Sequence, residues 1–230
     1  MIVLRLPASL SASWRDLKYA LWLPVYLVSF VLLEQVVDGS LSYWATQLPL
    51  DRLIPFQELF VIPYCMWYPL LVAVGLSLLV RDSKGFRRYM CFLAVSFFLS
   101  ELIWFLIPNG QDLRPPVMPR DNFFSRWVAG LYSIDTNTNV FPSVHVVGSI
   151  GAAWAVWDSC PFRRKPALRW GTVVLAALIC LSTLFIKQHT VLDVAGGAAL
   201  AVAVGLPVYR HAPLAALRPR RHSRPMENPE

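Results

Sequence analysis

Two histidines lie beside residue types that could support phosphoryl transfer. His145 follows Ser143 near the predicted start of a helix, and His189 precedes Asp193 by four residues. The free amides and the dipole of a helix start attract an anion, and Ser143 can add a hydroxyl donor. If the second segment is helical, Asp193 lies one turn from His189 and can fix its tautomer, which leaves the other ring nitrogen free as a nucleophile or base.

Arg114 could complete this set, because a guanidinium binds phosphate oxygens with two parallel hydrogen bonds. It lies in the long polar segment 108–141, and loops of such length in a small bundle are usually functional. Taken singly, the histidine segments also fit an ordinary helix cap and a buried polar pair that holds helices together. Their predicted convergence with Arg114 on one face of a membrane favours a phosphate site.

The elements that must position these residues are apolar helices. Hydrophobic residues form 56% of the 230-residue chain and charged residues 15%, and the mean hydropathy is +0.49, so an ordinary soluble domain is excluded. Six stretches approach the roughly 20 residues that cross a bilayer. They are 20–37, 59–80, 89–107, 142–158, 170–186 and 191–209. The fourth should begin at Pro142 or Ser143, because proline fits the first helical position. We therefore expect an all-α integral membrane bundle of six transmembrane helices.

Basic residues set the expected orientation, because Lys and Arg beside spans stay preferentially in the cytoplasm. Of the 21 basic residues, 16 lie before span one, between spans two and three, between spans four and five, or after span six. Both termini are therefore expected in the cytoplasm and the histidines at the non-cytoplasmic face. We predict a single domain over residues 1–209 and a basic, disordered tail over residues 210–230.

The net charge of +7 does not indicate a nucleic-acid partner, because the charge lies in short loops beside the membrane. The four cysteines lack the spacing of metal ligands, so we assign them no chemistry and expect neither a metal nor a cofactor. Short loops favour a bacterial plasma membrane. The oligomeric state stays open.

Three ordered motifs resemble those of the phosphatidic acid phosphatase type 2 superfamily, which are Lys-x6-Arg-Pro, Pro-Ser-Gly-His and Ser-Arg-x5-His-x3-Asp. The matching residues, in chain order, are Arg114, Pro115, Pro142, Ser143, His145, Ser182, His189 and Asp193. The motifs occupy about 80 residues, and the spacing of the third is intact. The resemblance implies a membrane-embedded enzyme that acts on a lipid phosphate.

Three substitutions depart from the family pattern. Ile107 replaces the lysine of the first motif, Val144 the glycine of the second, and Thr183 the arginine of the third. Lys187, two residues before His189, could return one positive charge. The forms Phe-Pro-Ser-x-His and Lys-Gln-His resemble the branch of inositol phosphotransferases, which moves a lipid's phosphoryl headgroup onto an alcohol.

By this resemblance, His189 attacks phosphorus to give a phosphohistidine, Asp193 orients it, and His145 protonates the leaving alkoxide and then activates water or an alcohol. The phosphate oxygens would bind to Arg114, Ser143 and Lys187. The resemblance thus implies a metal-independent lipid phosphatase at the outer membrane face, or a phosphotransferase to an alcohol such as inositol.

Two other functions also fit parts of the sequence. An intramembrane serine protease resembles the chain in drawing a serine from span four and a histidine from span six, but Gly148–Gly151 does not match its Gly-x-Ser-Gly motif. A noncatalytic lipid-binding protein fits the loss of the motif cations at positions 107 and 183.

Overall fold

Helices dominate the computed structural model, which describes residues 15–36 and 42–210. The α-helices, in chain order, are α1 (Trp22–Val36), α2 (Val61–Cys65), α3 (Trp67–Arg81), α4 (Ser83–Leu106), α5 (Phe123–Ile134), α6 (Val144–Asp158), α7 (Pro166–Phe185) and α8 (Val191–Arg210). Short 3-10 turns cover Asp16–Ala20, Pro49–Arg52, Glu58–Phe60 and Cys160–Phe162. Two parallel two-residue strands, β1 (Trp44–Ala45) and β2 (Asn109–Gly110), pair at one end of the bundle. The predicted all-α fold is confirmed.

Within the described residues, five helical segments are long and apolar enough to cross a membrane. They are Asp16–Gln35, Glu58–Arg81, Ser83–Leu106, Pro166–Phe185 and Val191–Tyr209. Helix α6 corresponds to the fourth predicted span, 142–158, but its 15 residues rise only about 22 Å, less than a hydrocarbon core. It lies inside the bundle and packs against α3, α4, α7 and α8. Six crossings therefore remain a prediction.

Glycines let α6 approach its neighbours closely. A Cβ at Gly151 would lie 2.2 Å from the Phe92 ring of α4, and a Cβ at Gly148 would lie 2.8 Å from the indole nitrogen of Trp67 in α3. Because real Cβ atoms do not approach other atoms so closely, larger residues at either position would push the helices apart. The two aromatic rings thus fix the depth and rotation of α6, and with them the direction of its first turn.

The predicted cytoplasmic segments meet at one end of the bundle. Arg87 contacts Asp16 at 2.7 Å and Arg88 contacts Asp158 at 3.0 Å. The segments before α1, between α3 and α4, and after α6 therefore share an end, as the distribution of basic residues predicts. Their cytoplasmic location stays a prediction, and the predicted disordered tail lies outside the described residues from position 211 onward.

Candidate active site

The opposite end of the bundle gathers the polar loops around Asn109, whose side chain is fully buried. Its amide nitrogen donates to the carbonyls of Ile107 and Phe141 at 2.8 and 3.2 Å. Its side-chain oxygen accepts from the amides of Val140 and Phe141 at 2.9 and 2.7 Å. One side chain therefore ties the end of α4 to the segment that enters α6, and so places the second motif beside the first.

The two predicted catalytic histidines meet at this end. Nε2 of His189 lies 3.4 Å from Nδ1 of His145, and both side chains are buried. The ring of His145 is held between Tyr64 and Trp67, with centroid distances of 4.6 and 4.5 Å. Residues 44 positions apart in the chain thus bring their imidazoles into contact, as the proposed phosphate site requires.

Asp193 lies behind His189, with its Oδ2 3.6 Å from the Nδ1 atom of the imidazole. This distance is too long for a hydrogen bond. The same oxygen instead accepts from the amide of Thr190 at 2.7 Å, while the hydroxyl of Thr190 accepts from the amide of Asp193 at 3.2 Å. This reciprocal pair is a capping box.

The capping box explains where α8 begins. The helix starts at Val191, so His189 precedes it and does not lie one helical turn from Asp193. Nδ1 of His189 and Oδ1 of Asp193 are nevertheless both buried, and neither has a hydrogen-bond partner in the described part of the chain. The orienting role of Asp193 therefore remains a prediction.

Ser143 caps the start of α6 and is completely buried. The helix begins at Val144, so Pro142 precedes the first turn and does not occupy the helical position expected for it. The Ser143 amide donates to the Asp193 carbonyl at 3.2 Å, whereas its hydroxyl oxygen has no partner among the described residues. A Cβ at Gly197 would lie 2.7 Å from the Ser143 carbonyl, so this glycine allows α8 to contact the start of α6.

Arg114 forms a hydrogen bond with Gln188, the residue before His189. Its guanidinium donates to the side-chain oxygen of Gln188, and to the carbonyls of Thr136 and Tyr132 at 2.6 and 3.3 Å. All of these acceptors are uncharged, and no carboxylate forms an ion pair with Arg114 in the part of the chain that the structure describes. Burial lowers the pKa of Arg114, but a guanidinium stays protonated in proteins. Its positive charge is therefore available to an anion.

A network that sequence reasoning missed connects Arg114 to His145. Asp135 accepts from the Tyr64 hydroxyl at 2.8 Å and from the Gln188 side-chain nitrogen at 3.1 Å. Gln188 in turn contacts Arg114, and Tyr64 packs on His145. The polarity of segment 108–141 draws attention to Asp135, but Tyr64 lies within an apolar helix and carries no sequence signal of its own.

Lys187 points its ammonium at the loop after β1. Nζ donates to the carbonyls of Asp51 and Ile54 at 2.9 and 2.5 Å, and burial lowers the pKa of this amine. The Asp51 carboxylate accepts from the amide of Val191 at 2.7 Å. Lys187 therefore joins this loop to the start of α8. None of the contacts of its ammonium in the described structure involves His145 or His189, so phosphate binding by Lys187 remains a prediction.

The three positions at which this chain departs from the family motifs have different surroundings in the structure. Ile107 is 52% exposed at the end of α4, and Val144 is the first residue of α6. Thr183 is buried, and its carbonyl accepts from the amides of Gln188 and His189 at 2.9 and 3.1 Å. Position 183 therefore supports the histidine loop through its backbone, and Arg114 is the one cation that the three motifs retain.

Helix α1 also supports the site. The two carboxylate oxygens of Glu34 accept from the Asn139 side chain at 2.5 Å and from the Thr136 hydroxyl at 2.6 Å. These residues flank Asn137 in the loop that leads to α6. Glu101 of α4 accepts from the hydroxyl of Ser29 in α1 at 2.8 Å, so this buried carboxylate also joins α1 to the bundle.

Comparison with known proteins agrees with this geometry. No curated protein and no solved structure matches the chain significantly. The model of the PAP2 superfamily matches residues 88–215, which include all three motifs and more than half of the chain. On this match and on the meeting of its motif residues, the chain belongs to the PAP2 superfamily.

Proposed function

We propose that this protein is a membrane-embedded lipid phosphate ester phosphatase that works through a phosphohistidine at His189. Members of the superfamily are phosphatases or phosphotransferases, and the apolar helices indicate a membrane protein. The observation that carries the proposal is the contact between the buried rings of His189 and His145. Asp193 lies 3.6 Å from His189, and Ser143 lies two residues before His145 at the start of α6.

In the proposed first step, Nε2 of His189 forms a bond to phosphorus while the bond between phosphorus and the lipid's alcohol oxygen breaks. His145 gives a proton to that oxygen, so the alcohol leaves neutral. In the second step His145 takes a proton from water, the resulting hydroxide attacks phosphorus, and the bond to His189 breaks. Inorganic phosphate leaves and both histidines return to their starting states.

The closeness of the two imidazoles implies movement on substrate binding. Reacting atoms approach to about 3–3.5 Å before attack, and a general acid needs to lie within about 3 Å of the leaving oxygen. A phosphorus and its leaving oxygen cannot both fit between nitrogens that are 3.4 Å apart. We therefore expect the substrate to separate the rings. The packing of His145 between Tyr64 and Trp67 would then define the position of its ring before substrate binds.

The unpartnered hydrogen-bond donors of the site support binding of an anion. The Arg114 guanidinium contacts uncharged oxygens, its Nε has no partner among the described residues, and the buried Ser143 hydroxyl has none either. Together with the free amides at the start of α6, these donors fit the nonbridging oxygens of a phosphate. Such preorganised donors commonly provide a large part of the rate enhancement in charged transition states.

Transfer to an alcohol is the second candidate. The Asp135 carboxylate lies beside Arg114, Gln188 and Tyr64, and it would repel a phosphate but accept a hydrogen bond from a hydroxyl group. An acceptor such as inositol could use this carboxylate, in accord with the Lys-Gln-His form of the third motif. The protease alternative gains no support, because the hydroxyl of Ser149 has no hydrogen-bond partner in the described structure.

One experiment separates these candidates. Purified full-length protein is incubated with a panel of lipid phosphate esters, with and without inositol or glycerol, and the products are identified by mass spectrometry. Release of inorganic phosphate supports the phosphatase, and a phosphorylated acceptor supports the transferase. Binding of the lipids without either product would contradict both and favour a noncatalytic protein.

A further inference from the structure

A groove of about 380 Å³ lies on the bundle surface between α6 and α7, away from the histidines. Its α6 side includes Ile150, Ala153 and Trp157, and its α7 side includes Val173, Ala177 and Cys180. Each set is spaced by three or four residues, so it forms one face of its helix over about 10 Å. The small side chains of Ala153 and Ala177 leave room for a narrow apolar ligand.

Arg169 contacts Trp157, which lines the end of this groove that is remote from the histidines. It precedes Val173 by four residues and so continues the same face of α7. Its guanidinium lies 3.8 Å from the Trp157 ring centroid and donates to the Trp157 carbonyl at 3.1 Å. The Nε atom is buried and has no hydrogen-bond partner in the described structure.

Positive charge accumulates around this end. The exposed residues Arg163, Arg164 and Lys165 lie between the 3-10 turn Cys160–Phe162 and α7, and the stretch from position 159 to position 170 contains no acidic residue. The neighbouring Asp158 already pairs with Arg88 at 3.0 Å. Trp157 and Trp170 pack edge to face with centroids 5.2 Å apart, and tryptophan is enriched where helices meet lipid headgroups.

We propose that this groove binds one acyl chain of an anionic phospholipid, whose headgroup phosphate contacts Arg169 and the basic segment 163–165. An apolar groove alone cannot select a lipid, because the surrounding chains are as apolar as its walls. Selection therefore comes from the basic end, which attracts an anionic headgroup over a zwitterionic one.

This lipid is distinct from the substrate. His145 and Trp157 are 12 residues apart on the same helix, which is about 18 Å along its axis. A headgroup beside Arg169 is therefore out of reach of His189. The bound lipid instead links α6, which carries His145, to α7, which leads into the histidine loop.

Native mass spectrometry of the purified full-length protein tests the proposal, with phosphatidylglycerol and phosphatidylcholine of identical acyl chains as probes. We expect more phosphatidylglycerol than phosphatidylcholine adducts. Arg169→Gln removes the charge, and Ala177→Phe fills the groove. Arg169→Gln should weaken phosphatidylglycerol binding about fivefold, the equivalent of one basic contact at a membrane surface. Ala177→Phe should also weaken it, because the ring occupies the space of the acyl chain.

Two matched controls accompany these variants. Arg126→Gln removes an exposed arginine at the histidine end, and Val174→Phe enlarges an exposed residue of α7 that does not line the groove. Both should bind phosphatidylglycerol as the unaltered protein does. Equal binding of the two lipids, unchanged binding in Arg169→Gln or Ala177→Phe, or an equal loss in the controls would overturn the proposal.

Discussion

The two ends of the helical bundle differ in the polar side chains that they bring together. At the end with the basic loops, Asp16 contacts Arg87, and Asp82 accepts from Ser159 at 2.7 Å. At the histidine end, polar atoms of Arg114, Ser143 and Asp193 are buried without a hydrogen-bond partner. Such an atom costs about 1–3 kcal/mol of stability, and the basic end also buries some, in Asp16 and Arg169. What distinguishes the histidine end is that these atoms accompany two imidazoles in contact, a combination suited to receiving a ligand.

Replacement of His189 should produce the largest effect. His189→Ala removes the proposed nucleophile, and the loss of such a group typically lowers kcat by at least about 10⁴-fold. The variant should still insert and unfold cooperatively, which circular dichroism during heating can monitor. Retained release of phosphate from a lipid phosphate ester would exclude His189 as the nucleophile.

His145→Gln should lower kcat for lipid esters by about 10²–10⁴-fold, the usual contribution of a general acid–base group. The deficit should shrink for the first step with an aryl phosphate, because a phenolate leaves without needing a proton. Burst kinetics with p-nitrophenyl phosphate measure that step. An equal deficit with both leaving groups would argue against His145 as the acid.

Arg114→Gln should reduce kcat by about 10²–10³-fold, because the variant loses the one motif cation that remains at the site. Arg114→Lys should recover part of this loss, since the charge returns without the paired hydrogen bonds. Arg126→Gln is the matched control, because Arg126 is exposed and pairs with the exposed Asp121. If steady-state assays give the same kcat for all three variants, Arg114 does not bind the phosphate.

Tyr64→Phe should have a smaller effect, about tenfold on turnover, because the ring still packs on His145 but no longer bonds to Asp135. Asp135→Asn should act on the same network, so the double variant should lose less than the two single effects combined. Turnover rates of the three variants give this comparison. Strict additivity would show that Tyr64 and Asp135 act independently.

Asp82→Ala should leave activity within about twofold while it lowers the stability of the protein. Asp82 caps α4 by accepting from the amide of Gly85 at 2.9 Å, and it also binds Ser159. The loss of a cap costs about 0.5–2 kcal/mol. A lower thermal midpoint with normal turnover would match the contrast between the two ends, whereas a large loss of activity at low temperature would contradict it.

Much of this arrangement could be predicted from the sequence, because the spans and the motif spacing are local features. Apolar runs located the helices, and the shared side of Arg114, Ser143 and the two histidines followed from alternating crossings. The position of α8 was less predictable, because Thr190 and Asp193 form a capping box that competes with continuation of the helix toward His189.

The contacts of long polar side chains could not be predicted. Phosphate binding by Lys187 stays a prediction, and the sequence gives no sign that the ammonium donates to backbone carbonyls of the loop at Asp51 and Ile54. Which of several nearby acceptors a flexible side chain uses depends on the folded backbone, and spacing along the chain does not encode this. The roles of Tyr64 and Gln188 were missed for the same reason.

The hydrogen bonds to Glu34 indicate that α1 belongs to the part of the chain needed for activity. The family match begins at residue 88, yet Glu34 of α1 holds the loop that carries Thr136 and Asn139. A fragment trimmed to the matched region would keep every motif residue and lose this support from the first helix. Expression of such a fragment should therefore give an inactive protein, and a shortened form has to retain α1 to keep this support.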